Sequence, residues 1–406
     1  MRLRHDRAGA VANRLALGVI SARAIWAIGV GQLVNWGVLY YAFGVLLVPV
    51  EQSLRAPRWL VAGAFSLGLL VSAIAAPAVG RLADRGQGPV VMQAGGLIAA
   101  GLLIAWAVLP SIWTTYAVWS GLGLCMAAIL YEPVFAIVGR AFRDADDRLR
   151  AIATITVMGG LASTAFLPGT TFLVGRLGWQ GATVALAIVI ASTTLVVSRL
   201  SFRDLTFSGS ELRNAMLGRD NDRATAPPAP ALNRFVAVFA LSSIVNSALA
   251  SNIVAALIER RLTPSRAAFI GGLFGVMQLP GRVLMTNKSF TPGPFRFLVV
   301  SFALQIAGLL ALTADHVQAA MWLGVIVFAC GAGLTTLARP YLVLHVYGPE
   351  RAGEINGAIA RGQQLARAAG PVCAAALATV TGYSLVFAVL AALLVAAMTL
   401  TPRRLA

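Results

Sequence analysis

The 406-residue sequence is poor in charge, and the charge that it carries is mostly of one sign. Only 12% of the residues are charged, whereas soluble domains carry about 25%. Asp and Glu number 15 against 32 Lys and Arg, and Lys288 is the single lysine. Hydrophobic residues make up 58% of the chain. This balance argues against a large soluble core and indicates a protein with many membrane-spanning segments.

Cysteine and histidine are scarce as well, with three of each. Cys125, Cys330 and Cys373 lie in apolar runs without a CxxC pair or a histidine cluster, so neither disulfides nor a metal site are predicted. The sequence also lacks a nucleophile–His–acid set and the Gly-x-x-x-x-Gly-Lys-Ser/Thr phosphate loop. We therefore expect no enzyme activity and no bound cofactor.

Twelve apolar runs are long enough to cross a bilayer as helices, for which about 20 residues suffice. The runs lie at about 24–48, 60–82, 90–109, 112–139, 150–174, 179–199, 234–257, 266–287, 295–313, 317–341, 353–378 and 382–401. The polar stretch 200–232 ends in Pro and Ala and is predicted to link two halves. The predicted fold is thus an all-α membrane protein with twelve transmembrane helices in two six-helix bundles. The predicted divisions are a leader 1–23, a first bundle 24–199, the linker 200–232, a second bundle 233–401 and a tail 402–406.

The distribution of basic residues predicts the orientation. With both termini in the cytoplasm of a bacterium, the cytoplasmic segments hold 24 of the 32 Lys and Arg residues and the opposite side holds six. This asymmetry follows the positive-inside rule for an inner-membrane protein. Because topology accounts for most of the positive charge, no nucleic-acid partner is needed.

An internal repeat supports the division into halves. "RLRAIATITVMGGLASTAFLPG" begins at Arg148 and reaches Pro168, and "RAGEINGAIARGQQLARAAGPV" begins at Arg351 and reaches Pro371 with the same spacing. The two segments begin the fifth and the eleventh run. Six plus six helices with related halves are typical of a two-bundle transporter.

The link between the second and third runs, "GRLADRGQGP" from Gly80 to Pro89, carries a recognisable motif. It resembles the Gly-x-Leu-Ala-Asp-Arg-x-Gly-Arg-Arg loop of the major facilitator superfamily, from which Gln87, Gly88 and Pro89 depart. In that family the loop holds the two bundles together on the cytoplasmic side. The resemblance implies a gating role for Gly80, Asp84 and Arg85, alternating access, and a monomer. "NWGVLYYAFGVLLVPVEQSLRAPRW" is similar to the first helix and loop of the monocarboxylate and oxalate–formate branch.

Glu132, in "CMAAILYEPVFAIVG", is the one acid predicted well inside a run. A charge at the centre of a bilayer costs about 2.5–3.5 kcal/mol on insertion scales, so such residues face the protein interior and have a partner. Three interpretations remain open: a proton-coupling site, a salt-bridge gate, or a fixed structural pair with Arg85 or Arg140.

Other polar residues inside the runs are candidates for binding the substrate. Arg guanidinium suits bidentate recognition of a carboxylate. The alternative for the amides is that they bond across helices without touching substrate. The candidates are Arg367, Arg361, Arg339, Gln32, Asn35, Tyr40, Tyr41, Asn246, Asn252 and Gln364.

These features predict a secondary transporter of a small solute, with an organic anion preferred and proton coupling expected. The preference arises because three candidate arginines but one acid lie in the membrane. Two alternatives remain: proton-driven efflux of drugs or toxic compounds, and, more remotely, a membrane sensor or scaffold without transport.

Overall fold

The computed structural model describes residues 22–141, 145–216, 229–280, 293–314 and 317–401. Within these ranges every regular element is helical, which is the arrangement that satisfies backbone hydrogen bonds locally inside a bilayer. Parts of the predicted leader, linker, eighth run and tail, at 1–21, 217–228, 281–287 and 402–406, lie outside the described residues.

The first half of the described chain consists of eight α-helices and two short π-helical segments. The helices are α1 Ala22–Trp36, α2 Ala42–Leu54, α3 Arg58–Leu82, α4 Gly88–Val108, α5 Ile112–Ile129, α6 Tyr131–Ala141, α7 Ala145–Gly160 and α8 Ala162–Met216. The π-helical segments are Gly37–Tyr41 between α1 and α2, and Ala83–Gln87 between α3 and α4.

The described part of the second half contains five α-helices. They are α9 Ala229–Glu259, α10 Pro264–Val276, α11 Pro294–Leu312, α12 Gln318–Thr381 and α13 Tyr383–Leu400. Helix thus extends into the predicted linker 200–232 from both sides, through Met216 and from Ala229.

Two of these helices each contain a reversal and so hold two of the apolar runs. In α8 the chain turns at Gly178, whose φ of 70° favours glycine. In α12, Arg339 hydrogen-bonds Gln363, 24 residues further on. A straight helix would separate these residues by about 36 Å, so α12 folds back between them.

The predicted count of twelve spans remains a prediction. Among the described residues, nine helices are long and apolar enough to cross a membrane, and one of them, Arg150–Ser201, holds two predicted runs. The predicted run 266–287 is only partly described. The run 353–378 contains Arg361, Arg367 and two glutamines, which lower its hydropathy.

An aromatic cluster fills the core of the first half. Phe43 stacks on Phe65 with ring centroids 4.4 Å apart, and Trp119 meets both rings edge to face. Trp106 contacts Trp119 and donates its indole N–H to Thr115 Oγ1 at 2.9 Å. These contacts join α2, α3, α4 and α5 into one packed core.

The close crossing of α3 and α5 requires glycine. A Cβ at Gly123 would lie 2.2 Å from the carbonyl oxygen of Gly68, which is backbone and cannot move aside. We expect Gly123→Ala to lower the stability by about 1–3 kcal/mol, as overpacking does. The measurement is the thermal midpoint of the purified protein in detergent.

The matched control for this prediction is Gly101→Ala in α4. A Cβ at Gly101 meets nothing within 4 Å, and alanine favours a helix over glycine by about 0.5–1 kcal/mol. We therefore expect Gly101→Ala to keep or raise the midpoint. Equal midpoints for the two variants would contradict the assignment of a tight crossing.

Candidate functional site

A break in the helix places Glu132. Pro133 has no N–H, so the Ile129 carbonyl loses the donor that residue i+4 supplies in an α-helix. α5 ends there: Leu130 is extended (φ −79°, ψ −160°), and α6 begins at Tyr131 with Glu132 in its first turn. Glu132 therefore lies at the start of a half-helix, where the helix dipole favours a carboxylate.

Two amides of α1 satisfy the carbonyl that the break frees. Gln32 Nε2 donates to the Ile129 oxygen at 2.7 Å, and Asn35 Nδ2 donates to it at 3.2 Å. Both side chains are buried. Their observed contacts are bonds between helices, which is the alternative that the sequence left open for them.

A second proline acts in the same way beside Arg367. Pro371 stands four residues after Arg367 and cannot donate to its carbonyl. Ser247 Oγ of α9 donates to that oxygen instead at 2.8 Å. Asn252 Nδ2 of α9 donates to the Pro371 carbonyl at 3.4 Å. Side chains of α9 thus support the backbone that carries Arg367.

The Arg367 side chain crosses to the first half and lies against aromatic rings. Its guanidinium carbon lies 5.8 Å from the ring centroid of Trp36, within the range of a cation–π contact. Trp36 in turn contacts Tyr40 at 5.3 Å and Tyr131 at 5.0 Å between ring centroids. Tyr40 is within electrostatic reach of Arg367.

Glu132 meets the second half through an amide. Gln364, one helical turn before Arg367, donates its Nε2 to Glu132 Oε1, and Arg339 donates to Gln363 Oε1. Arg339 is within electrostatic reach of both Glu132 and Arg367. The structure therefore brings together five predicted residues, Glu132, Gln364, Arg339, Arg367 and Tyr40, which we call the central cluster.

Among the residues whose side chains the structure describes, no carboxylate is in contact with the cations of the central cluster. Among the described residues, the ion pairs within 4.0 Å are those of Arg58 with Glu51 and with Glu259. The described partners of the Arg339 and Arg367 guanidinium groups are an amide oxygen and an indole ring. Glu132 is exposed rather than deeply buried, and its described partner is Gln364 rather than Arg85.

At the opposite end of the bundle, Arg58 joins the two halves. Its side chain is 13% exposed and pairs with Glu51 at 2.8 Å, with Glu259, and with the Tyr383 hydroxyl at 3.4 Å. We call these four residues the Arg58 cluster. Glu51 and Arg58 belong to the first half, and Glu259 and Tyr383 belong to the second.

Two backbone-to-hydroxyl bonds also join the two halves. The Val372 N–H donates to Ser66 Oγ at 3.1 Å, and the Val276 N–H donates to Thr164 Oγ1 at 3.0 Å. Each bond joins one half to the other. The halves are therefore in contact at the Arg58 cluster and through these two bonds, and Glu132, at the other end, is exposed.

The remaining predicted residues lie outside the central cluster. Arg361 is exposed and makes no hydrogen bond with the described residues. Asn246 donates to Ser242 O at 2.8 Å and to Gln305 Oε1 at 3.4 Å. Tyr41 contacts the ring of Tyr40, and Asn252 bonds to Tyr383.

The loop motif is described only in part. Arg85 is exposed, Gly80 is half-buried, and the Asp84 side chain lies outside what the structure describes. Gly88 packs against Ile137 of α6, where a Cβ would come within 2.8 Å of the isoleucine side chain. Gly88, which stands where the family motif has a basic residue, therefore lies at a tight contact between the loop and α6.

Sequence reasoning missed several residues that the structure places at the two clusters. Trp36, Tyr131 and Ser247 adjoin the central cluster. The spacing of four residues from Ile129 to Pro133, and from Arg367 to Pro371, is a signal that could have pointed to freed carbonyls. Trp36 stands one helical turn before Tyr40, which could have suggested it.

Two solved transporters have a fold similar to that of this chain. The human organic anion transporter MFSD10 (TETRAN) has a similar structure, with a TM-score of 0.65, 19% identity, and coverage of 94% of this chain and 99% of that one. A bacterial homologue of the human lysosomal transporter Spinster gives TM-scores of 0.67 (inward-facing, occupied) and 0.69 (inward-facing, unoccupied) at 14% identity, covering 93% of this chain and 95% of that one.

In sequence, the chain is 32% identical over 191 residues to an MFS-type efflux pump of Mycolicibacterium smegmatis. That match covers 43% of this chain and 42% of the pump, so less than half of the relative is spanned. The family model of the Major Facilitator Superfamily matches residues 25–371. The predicted fold class and family are thereby confirmed, and the chain belongs to the Major Facilitator Superfamily.

Proposed function

We propose that this chain is a proton-coupled secondary transporter of an organic anion, whose carboxylate binds at Arg367. Members of the family carry small molecules through membranes, so the chain is a multi-pass membrane transporter rather than an enzyme. The observation that carries the proposal is the half-buried Arg367 guanidinium, which has an indole ring but no described carboxylate as its partner.

The energetics of a membrane arginine support an anionic substrate. Arginines inside a bilayer are expensive and usually pair with an acid or with backbone carbonyls. The central cluster holds two arginines and one acid, and that acid contacts an amide. A bound carboxylate would balance the remaining positive charge and accept two parallel hydrogen bonds from the guanidinium fork.

The neighbours of Arg367 favour an anion with an apolar, planar body. Trp36, Tyr40 and Tyr131 form a continuous aromatic surface beside the guanidinium. The Tyr40 hydroxyl has no hydrogen bond with the described residues, so it is free to donate to a carboxylate oxygen. Such a wall suits an aromatic monocarboxylate better than a small, strongly hydrated anion.

We propose Glu132 as the proton site. When ionised, its carboxylate accepts a hydrogen bond from Gln364, which stands one turn before Arg367 on α12. Protonation would remove the charge that attracts Arg339 and weaken this contact between the halves. Proton binding would in this way change the net charge of the central cluster and weaken the contact between the two halves.

The Arg58 end is proposed to face the outside of a bacterial inner membrane, and the Glu132 end the cytoplasm. This orientation agrees with the basic residues at both termini. Transport by a monomer would then alternate between opening the Arg58 end and opening the Glu132 end.

The experiment is uptake of radiolabelled benzoate, as a probe aromatic carboxylate, into proteoliposomes with and without an inward proton gradient. We expect the gradient to raise protein-dependent uptake several-fold. Protein-free liposomes correct for benzoic acid that crosses the bilayer unaided. Equal uptake with and without the protein, for benzoate and for a series of other carboxylates, would contradict the proposal.

Glu132→Gln is expected to separate exchange from proton-driven uptake. The amide keeps the size of the side chain but cannot titrate, so the gradient should no longer raise uptake. Exchange of internal for external benzoate should fall less than three-fold. Wild-type protein measured in parallel, with and without the gradient, is the reference for this response. Full gradient response in Glu132→Gln would exclude it as the proton site.

A second candidate is efflux of amphipathic drugs or toxic compounds. The observation that favours it is the partial relationship to a mycobacterial efflux pump, together with Glu132 as the acid of the central cluster. A lipophilic cation would bind at Glu132 rather than Arg367. Binding of cations alone, lost in Glu132→Gln, would select this candidate.

A further inference from the structure

A chain of hydrogen bonds connects the Arg58 cluster to the backbone that carries Arg367. Arg58 donates to the Tyr383 hydroxyl at 3.4 Å, and that hydroxyl donates to Asn252 Oδ1 at 3.2 Å. On its other side, Asn252 Nδ2 donates to the Pro371 carbonyl at 3.4 Å. Hydrogen bonds thereby connect three side chains, from α3, α13 and α9, to one backbone carbonyl of α12.

The chain has a second branch along α9. Asn252 Nδ2 also lies 2.9 Å from Ser251 Oγ, which donates to the Ser247 carbonyl at 2.8 Å. Ser247 Oγ donates in turn to the Arg367 carbonyl at 2.8 Å. Asn252 therefore contacts the Pro371 side of the helix defect directly and is connected to the Arg367 carbonyl through Ser251 and Ser247.

The junction between α9 and α12 is tight as well as polar. A Cβ at Gly370 would lie 2.1 Å from Ser247 Oγ and 2.6 Å from the Ile244 carbonyl oxygen. Tyr383, Asn252, Ser251 and Ser247 are all buried. A buried polar group that loses its hydrogen-bond partner raises the free energy of the folded protein. Because water does not reach these groups to replace the lost bond, a change at one residue favours a rearrangement of the next residue in the chain.

We propose that Tyr383 and Asn252 are positioning residues that couple the Arg58 cluster to Arg367. Opening of the Arg58 end removes the Arg58 donor from the Tyr383 hydroxyl. Tyr383 and Asn252 then rearrange, and the helix defect at Pro371 changes with them. Opening on the outer side is in this way linked to the placement of the Arg367 side chain, whichever solute the protein carries.

Two features make this arrangement suited to coupling. The Pro371 defect is a place where α12 can adopt two arrangements, because one carbonyl depends on a side chain of another helix rather than on its own N–H. The chain also starts at an ion cluster that exists only while the two halves meet. Coupling needs such a two-state element that both sites bias.

The test measures opening at the Arg58 end without any substrate. Ser53 and Ser265 are exposed positions on opposite halves and are changed to cysteine for spin labelling. Double electron–electron resonance between the two labels reports the separation of the halves. The native cysteines are replaced by alanine so that only these positions are labelled. The ratio of the open to the closed distance population is the quantity compared.

Tyr383→Phe removes both hydrogen bonds of the hydroxyl, of which the one from Arg58 joins the two halves. We expect it to raise the open-to-closed ratio about five-fold. Asn252→Leu breaks the same chain at the next hydrogen bond and should give a similar shift. It serves as the test if the Tyr383→Phe protein does not fold. Tyr116→Phe is the matched control, since its hydroxyl bonds to Leu60 O at 3.0 Å within the first half. We expect less than a two-fold change there.

Non-additivity distinguishes a chain from separate contacts. Ser247→Ala should shift the ratio at the Arg58 end although Ser247 does not touch that cluster. Combining it with Tyr383→Phe should give a ratio within two-fold of the larger single effect, whereas independent contacts would give the product of the two single effects. A multiplied effect, or no effect of Ser247→Ala, would overturn the proposal.

Pro371→Ala provides a rescue. Alanine restores the N–H that can bond the Arg367 carbonyl within α12, so Ser247 is no longer required. In this background we expect Ser247→Ala to change the open-to-closed ratio less than two-fold. A full Ser247→Ala effect in the Pro371→Ala protein would show that the hydroxyl acts elsewhere, and would contradict the assigned chain.

Discussion

Arg367→Gln is expected to reduce uptake of an aromatic carboxylate about 100-fold. Truncating one partner of a desolvated charge pair costs about 2–5 kcal/mol, and every 1.4 kcal/mol is a factor of ten. The guanidinium lies against Trp36 and has no described acid partner, so the substrate would be its main counter-charge. Initial rates of labelled benzoate uptake into proteoliposomes measure the effect.

The control is another arginine that lies over an aromatic ring. The Arg176 guanidinium carbon is 5.5 Å from the ring centroid of Phe172, outside the central cluster. Arg176→Gln removes a cation–π contact of the same kind and should change uptake less than two-fold. Similar losses in both variants would indicate a general effect on folding, and unimpaired uptake in Arg367→Gln would refute its assigned role.

Arg58→Gln is expected to open the end of the molecule at which the Arg58 cluster lies. The variant leaves Glu51 and Glu259 without their shared cation and removes a donor to Tyr383. Arg58 is 13% exposed while Glu259 is 44% exposed, so the effect should fall between the values for buried and surface pairs, at about 2 kcal/mol. This corresponds to roughly a 30-fold rise in the open-to-closed ratio.

The spin-label pair at Ser53 and Ser265 measures this change directly. Arg266→Gln, an exposed arginine of α10 at the same end, should leave the distances unchanged. Exchanging the charges in Arg58→Glu with Glu259→Arg should restore part of the closed population, because the two side chains face each other across the halves. A closed distribution in Arg58→Gln would show that the cluster does not hold the halves together.

Much of the architecture was accessible from the sequence because it depends on local patterns. Apolar runs of about 20 residues, the loop from Gly80 and the equal spacings to Pro168 and Pro371 predicted the all-helical fold and the family. The choice of Glu132, Arg339 and Arg367 followed from the high cost of charge in a bilayer. The structure brings Arg339 within electrostatic reach of both Glu132 and Arg367.

The partners of these residues could not be predicted, since they are set by tertiary contacts. Gln364 and Glu132 are 232 residues apart in the sequence and meet only when the halves pack. The Arg58 cluster is assembled from four helices, so its members are not neighbours in the sequence. Asn252, a candidate either for substrate binding or for bonds across helices, is engaged by Tyr383 and the Pro371 carbonyl.

The most direct test of the central claim is a thermal-shift comparison of the wild-type protein and Arg367→Gln in detergent. The ligands are benzoate and other aromatic carboxylates on one side and lipophilic cations on the other, since binding to the folded state raises the midpoint. We predict stabilisation of the wild-type protein by the carboxylates and its loss in Arg367→Gln. Stabilisation by cations alone, unchanged in Arg367→Gln, would contradict an anion site at the centre of this transporter.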